Sequence, residues 1–102
     1  MNTQTQMNYI DSAKRVIEIE TQAIANLADR LDSEFIAACN ILFACKGKVV
    51  VSGMGKSGHI GNKIAATLAS TGTPAFFMHP GEANHGDLGM LSKGDVLLAI
   101  SN

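Results

Sequence analysis

The sequence lacks an excess of charge of either sign. Its 102 residues contain eight Lys and Arg against nine Asp and Glu, which gives a formal net charge of −1. Proteins that bind nucleic acid non-specifically carry a strongly basic surface, because Lys and Arg must neutralise the phosphates. The charge balance therefore argues against a nucleic-acid partner, and the length is that of one small domain.

Long hydrophobic runs are also missing from the sequence. No stretch approaches the roughly 20 apolar residues that cross a membrane. The first 15 residues have neither the basic start nor the apolar segment of a secretory signal. Apolar residues make up 46% and charged residues 17% of the chain, as in a globular domain with a sizeable core. We therefore expect a cytoplasmic protein without a membrane partner.

Cysteine is scarce, with only Cys39 and Cys45 present. Six residues apart on a predicted helix, the two side chains would point in directions about 240° apart. A disulfide between them would require the helix to break. We expect both cysteines to be small buried side chains in a reducing compartment.

The stretch KVVVSGMGKSGHI, residues 48–60, predicts a strand, a glycine-rich turn and a helix. Its β-branched start is typical of a buried strand. Three glycines follow, which are Gly53, Gly55 and Gly58. Glycine allows the backbone to approach a bound group, and the first turn of a helix has unpaired N–H groups at its electropositive end. With the hydroxyl of Ser57 and the positive charge of Lys56, this unit predicts a phosphate site.

Several kinds of site are compatible with such a turn. The glycine spacing fits the dinucleotide motif G-x-G-x-x-G, but an acidic residue is then expected about 20 positions later, and the range Thr73–His79 contains none. A Walker A loop would need glycine five residues before Gly55, where the sequence has Val50. A sugar-phosphate site on the same turn remains, beside the alternative of a turn that binds nothing.

The whole chain predicts an α/β fold. Helices are predicted over 7–31, 34–44 and 58–70, one helical turn over 82–85, and strands over 48–52, 74–78 and 96–101. Strands that alternate with helices form a parallel sheet, and we predict the order 2-1-3. The third strand is apolar throughout, so we expect both of its faces to be covered. Residues 1–10 are expected to be frayed.

The first predicted helix carries a long apolar stripe. Its members recur at helical spacing and are Ile10, Ala13, Ile17, Ile24, Leu27 and Leu31. Three strands cannot cover a stripe of this length. Either it packs partly on another chain or on sequence outside this one, or the helix is a long edge helix with a loose start.

Polar segments follow all three predicted strands, at residues 52–59, 79–87 and 101–102. The carboxyl ends of parallel strands meet at one edge of the sheet, and open α/β sheets bind their ligands beyond that edge. We therefore expect the three segments to converge on one site.

Three blocks of the sequence are specific enough to suggest a family: GMGKSGHIG, STGTPAFF and HPGEA-x-HGDLGM. Together they closely resemble the sugar isomerase (SIS) domain of bacterial D-arabinose 5-phosphate isomerases, from about Asp11 to Asn102. The resemblance implies a three-layer, flavodoxin-like parallel sheet preceded by two helices, in a cytoplasmic homotetramer. It also implies interconversion of D-ribulose 5-phosphate and D-arabinose 5-phosphate for the synthesis of the lipopolysaccharide sugar Kdo, or of capsule. A non-catalytic SIS module that binds a sugar phosphate as a regulator is the alternative.

The resemblance also implies that residues 11–102 form a partial SIS domain. In that family the third strand continues into S-N-S-G-E-S, of which Ser101 and Asn102 are present here. Two further strands and a pair of CBS domains then follow in the family.

Roles for individual residues are likewise implied by the resemblance. Lys56 matches the family's catalytic lysine and would stabilise the oxyanion of an enediol, whereas no general base is assigned. Gly72 and Thr73 match substrate-contacting positions, and His85 matches a substrate-binding histidine. His79 matches a position that can hold an inhibitory zinc ion, and no cofactor is required. The expected phosphate-binding residues are Gly53, Gly55, Ser57, Ser101 and Asn102.

We predict that the 102-residue chain alone does not isomerise sugar phosphates. Half of the phosphate cradle and the later acidic and histidine residues of the family are not among its residues, and its open sheet edge favours self-association. The measurement is ketose formation from arabinose 5-phosphate by fractions from gel filtration. Turnover that coincides with the monomer peak would contradict the prediction.

Overall fold

A computed structural model describes residues 3–83 and 91–101 of the chain. By its internal contacts the chain divides into two compact units, Met1–Ile36 and Ala37–Asn102. The first unit is helical, and the second contains the sheet.

Helix α1 spans Thr3–Leu27 and leads into a 3-10 turn at Ala28–Arg30. Helix α2 spans Ser33–Phe43 and is capped by Asp32, whose Oδ1 accepts the N–H of Glu34 at 3.0 Å. Fraying of residues 1–10 stays a prediction, and the described part of that range is helical from Thr3 onward. The prediction of one helix up to residue 31 is wrong, because the last turn tightens to 3-10 geometry.

The apolar stripe of α1 is an exposed surface. Ile10, Ile17, Ile24 and Leu27 are each more than half exposed, as is Leu31 beyond the 3-10 turn. None of the described helices, not even the 25 residues of α1, combines the length and apolar character needed to cross a membrane.

The second unit is built on a three-stranded parallel sheet. Its elements are β1 Val49–Gly53, α3 Lys56–Ser70, β2 Ala75–Phe77, α4 Pro80–Ala83 and β3 Val96–Ile100. The order is β2-β1-β3 with both pairings parallel, which confirms the prediction. The strand boundaries differ from prediction by one residue, and two helix starts differ by two. Helix α3 begins at Lys56 instead of residue 58. Helix α4 begins at Pro80 instead of residue 82, because the missing N–H of proline costs nothing at the start of a helix.

Strand β1 is the centre of this unit. All five of its residues are buried, and Val49, Val50 and Val51 are at most 1% exposed. Val49 and Val51 form the main core cluster with Ala65 of α3. Phe77 of β2 packs against the same cluster. The β-branched run that predicts the strand is thus also the core.

Strand β3 does not match its prediction of two covered faces. Leu98 and Ile100 pack against the core, whereas Leu97 on the opposite face is 54% exposed. Alternate residues of a strand point to opposite faces. A continuous apolar run therefore shows that both faces are apolar and does not show which of them is covered.

The prediction that both cysteines are buried is also wrong. Cys39 is exposed on α2, and Cys45 is half-buried just beyond the end of that helix. The Cys45 thiol lies 3.5 Å from the carbonyl oxygen of Gly94. Both thiols are free, as predicted.

Asp95 joins the start of β3 to the start of β1. Its Oδ1 accepts the backbone N–H of Lys48 at 2.7 Å, and its Oδ2 accepts the N–H of Ser92 at 2.8 Å. The Lys48 Nζ lies 3.3 Å from Oδ2, and only 4% of the Asp95 side chain is exposed. The N–H of Lys48, followed by that of Ser92, lowers the pKa of Asp95 below its ordinary value, and the Lys48 ammonium adds to this against the opposing effect of burial.

The lowered pKa predicts how stability depends on pH. A carboxylate with a lowered pKa stabilises the fold above its ordinary pKa, near pH 4, and this stabilisation is lost as the pH falls through the lowered value. We predict that Asp95→Asn is less stable at pH 7 and loses less stability than wild type between pH 5 and pH 3. Urea unfolding followed by circular dichroism measures both effects, with Asp11→Asn on exposed α1 as control. The prediction would be contradicted if the free energy of unfolding of wild type and of Asp95→Asn depended on pH in the same way.

Candidate functional site

The turn between β1 and α3 is only two residues long, Met54 and Gly55. Gly55 has φ +58° and ψ −129°, a conformation that residues with a Cβ rarely adopt. In the first turn of α3, a Cβ at position 58 would lie 2.8 Å from the carbonyl oxygen of Gly53. Glycine at position 58 therefore brings the first turn of α3 directly against the end of β1.

The first turn of α3 presents backbone donors at this edge of the sheet. The N–H of Gly58 is used internally, because it donates to the carbonyl of Gly55 at 3.0 Å. The N–H groups of Lys56 and Ser57 make no hydrogen bond with any described residue. Since the helix dipole concentrates positive potential at this end, the turn is suited to an anion.

A first cleft of about 400 Å³ opens between the ends of β1 and β3. Its lining consists of Ser52, Gly53, Met54, Ser57, Pro80, Ala99, Ile100 and Ser101. The lining brings together Gly53, Ser57 and Ser101, which the sequence predicts to bind phosphate. It contains hydroxyl groups and backbone but no charged side chain.

Ser52 has a structural role in this cleft. Its buried hydroxyl donates to the carbonyl oxygen of Met78 at 2.7 Å. This bond joins the end of β1 to the residue that follows β2. It holds the two strand ends together, and the hydroxyl hydrogen of Ser52 is already used.

A second cleft of about 330 Å³ lies on the other side of the glycine turn, towards β2. It is lined by Gly53, Gly55, Gly58, His59, Asn62, Phe77 and His79. Sequence reasoning missed His59 and Asn62 as site residues. The signal was available, because Gly55, His59 and Asn62 follow one another at i, i+4 and i+7 and so share one face of α3.

Lys56 is the first residue of α3 and is exposed. It lines neither cleft. Its ammonium forms no ion pair or hydrogen bond with any residue that the structure describes. The charge is thus held on a flexible four-carbon chain at the helix start, close to Ser57 of the first cleft and Gly55 of the second.

Gly72 and Thr73 lie at the opposite edge of the sheet. They precede β2, and the neighbouring carbonyl of Pro74 accepts the N–H of Val49 at the start of β1. Thr73 borders a groove with Cys39 and other residues away from both clefts. The structure therefore does not bring Gly72 and Thr73 together with the glycine turn of the same chain.

Of the remaining predicted site residues, the structure describes His79 but not His85 or Asn102, which lie outside the described residues. His79 lines the second cleft, and its Nδ1 accepts the N–H of Gly81 at 3.0 Å. Across residues 3–83 and 91–101, no group of three or more His, Cys, Asp and Glu is arranged to hold a metal ion. The inhibitory zinc site expected at His79 stays a prediction, and the bond to Gly81 engages the Nδ1 lone pair.

The sequence matches one protein family and its curated members. Residues 42–102 match the SIS domain. Over all 102 residues the chain is 58% identical to the arabinose 5-phosphate isomerase KdsD of Pseudomonas aeruginosa PAO1, of which it covers 31%. The chain spans about 30% of the length of the curated relatives it matches.

Solved structures have the same fold. A protein of Escherichia coli CFT073 in complex with a sugar-phosphate ligand gives a TM-score of 0.83 at 48% identity, covering 100% of this chain and 53% of that chain. A candidate phosphosugar isomerase involved in capsule formation from Bacteroides fragilis NCTC 9343 gives 0.85 at 43% identity, covering 92% of this chain and 50% of that chain. The parallel α/β arrangement is therefore that of sugar-phosphate isomerases.

The conformation of Gly55 generates a prediction. A Cβ at Gly55 or at Gly72 (φ +100°) would meet no atom within 4 Å, so substitution acts through the backbone alone. We predict that Gly55→Ala and the control Gly72→Ala each lose about 1 kcal/mol or more of unfolding free energy. Only Gly55→Ala should shift the amide signals of residues 56–59 in NMR spectra. A Gly55→Ala chain with wild-type stability and unshifted signals would contradict the role of this turn.

Proposed function

Because this chain belongs to the SIS domain family, we propose that it binds a sugar phosphate and takes part in the interconversion of D-ribulose 5-phosphate and D-arabinose 5-phosphate. One observation carries the proposal. The hydroxyl of Ser57 and the unbonded N–H groups of Lys56 and Ser57 lie beside a cleft that Ser101 borders from β3. The names of the relatives, and the sugar-phosphate ligand in the Escherichia coli structure, support arabinose 5-phosphate as the sugar phosphate.

The phosphate group belongs in the first cleft on this proposal. A phosphate at the start of α3 would receive hydrogen bonds from the backbone and hydroxyl donors and would interact favourably with the helix dipole. Each such bond to a charged acceptor contributes about 1.5–3 kcal/mol. The Lys56 ammonium would add a charge that no described residue neutralises.

The reaction itself moves a proton between C1 and C2 of the sugar through an enediol. It requires a positioned base and a group that stabilises the negative oxygen of the transition state. Lys56 is our choice for the stabilising group. The described linings of the two clefts contain no Asp or Glu, so we assign no carboxylate among them as the base.

We further propose a cytoplasmic homotetramer whose product is used for Kdo and lipopolysaccharide, or for capsule. The name of the Pseudomonas relative supports the reaction, and the Bacteroides structure supports the link to capsule. The exposed apolar stripe of α1 supports assembly with further copies. Gly72 and Thr73 would contact substrate only from another copy, since they lie at the opposite edge of the sheet.

A titration followed by NMR tests sugar-phosphate binding. Arabinose 5-phosphate should shift the amide signals of residues 52–59 in the 102-residue chain, and unphosphorylated arabinose should not, because the phosphate supplies the charge. Shifts of equal size with both sugars, or none at residues 52–59, would overturn the proposal.

Substitution of Lys56 tests the catalytic role. In a full-length protein that carries this sequence, we predict that Lys56→Ala lowers kcat by about a hundredfold to a thousandfold, as loss of one electrostatic contact worth ~2.7–4 kcal/mol does. The fold should be unchanged, since the side chain contacts no described group. Lys63→Ala, an exposed lysine two turns later on α3, is the matched control. Wild-type kcat in a folded Lys56→Ala protein would show that the lysine is not catalytic.

A further inference from the structure

The backbone bonds between β1 and β2 alternate along the two strands. The N–H of Val49 donates to the carbonyl of Pro74 at 2.9 Å. Two residues later, the carbonyl of Val51 accepts the N–H of Met78 at 2.8 Å. In a parallel ladder the carbonyl of Met78 would next accept the N–H two residues further along β1, which belongs to Gly53.

A side chain takes the place of that last bond. The carbonyl oxygen of Met78 accepts the hydroxyl of Ser52 at 2.7 Å, and no backbone N–H of the described residues donates to it. Ser52 is 8% exposed and Met78 is 5% exposed, so this carbonyl is shielded from water and needs a donor within the protein. The hydroxyl of Ser52 meets that need.

This exchange of donors changes the position of Gly53. Its N–H makes no hydrogen bond within residues 3–83 and 91–101. Gly53 is buried and lines both clefts, and the alternation of the ladder turns its N–H to the β2 side, where the second cleft lies. Because a buried N–H without a partner is costly, the group is suited to donate to an oxygen of a ligand.

We propose that Ser52 is a positioning residue whose hydroxyl occupies the Met78 carbonyl, so that the N–H of Gly53 donates to an oxygen of the bound sugar phosphate. The inference rests on the proposed sugar-phosphate function. Ser52 acts through Gly53, because its own hydroxyl hydrogen is already bonded to Met78. The sheet ends one bond early, and the donor that it would have used remains available to the site.

NMR spectra of the 102-residue chain test this arrangement without any sugar. A backbone hydrogen bond gives a coupling between the donor nitrogen and the acceptor carbonyl carbon. We expect no such coupling from Gly53 to Met78 in wild type, and a coupling in Ser52→Ala, where the carbonyl has lost its hydroxyl donor. The Gly53 amide of Ser52→Ala should also exchange with solvent more slowly than that of wild type. A Gly53–Met78 coupling in wild type would overturn the inference.

The affinity for arabinose 5-phosphate tests the effect on the site. We expect Ser52→Ala to bind about tenfold more weakly than wild type, as loss of one hydrogen bond does. Ser52→Thr keeps the hydroxyl on a residue that strands favour, and should retain both the affinity and the unbonded Gly53 amide. The matched control is Ser70→Ala, which should bind as wild type does. The Ser70 hydroxyl also donates to a backbone carbonyl, that of Thr67 at 2.9 Å, but lies in neither cleft.

Two results with Ser52→Ala would overturn the inference. Wild-type affinity would mean that the Gly53 N–H makes no bond to the ligand. Weaker binding without a Gly53–Met78 coupling would mean that the hydroxyl only stabilises the strand ends.

Wild type decides the question even if the variants do not fold. Arabinose 5-phosphate should move the Gly53 amide proton downfield, because the N–H gains an oxygen acceptor. Binding with an unmoved Gly53 proton would refute this contact alone. If wild type does not bind arabinose 5-phosphate at all, the proposed function fails and this contact fails with it.

Discussion

The contact between Gly58 and the carbonyl oxygen of Gly53 sets the geometry of the whole site. A Cβ at position 58 would lie 2.8 Å from that oxygen, which is too close. Because glycine has no Cβ, α3 is able to begin after a turn of just two residues. The short turn places the N–H groups of Lys56 and Ser57 at the sheet edge and separates the two clefts. A larger side chain at position 58 would move α3 away from β1 and alter both clefts together.

The two clefts differ in the chemistry they offer. The first has hydroxyl and backbone donors near the helix dipole, which suits a compact anion. The second has two imidazoles and an amide, which suits an extended ligand with several oxygen atoms. A phosphorylated sugar combines these two kinds of group in one molecule. Fixed donors on a short turn would bind such a ligand without the entropy cost of ordering a loop.

Much of the fold could be predicted from the sequence, because strong local patterns agree with it. The β-branched run Val49–Val51 identifies the central strand, and the glycines identify the turn after it. With these elements placed, the parallel order β2-β1-β3 could be predicted. The failures have physical reasons. The apolar run of β3 does not reveal which face is covered, and a residue's place in a helical pattern did not reveal that Cys39 is exposed. His59 and Asn62 were missed although their spacing from Gly55 predicts one shared face of α3, because that spacing does not show which face borders a cleft. Only the register of α3 against β1 places them in the second cleft.

The β1–β3 pairing also governs the order in which the site can form. Asp95 closes a loop of 47 residues when its carboxylate accepts from Lys48, and the β1–β3 pairing brings Ile100 and Ser101 to the first cleft. Contacts so distant in sequence form slowly, since the entropy of closure precedes the gain from packing. On the ribosome, β1 and α3 emerge well before β3. The glycine turn would therefore leave the ribosome before one wall of its cleft does.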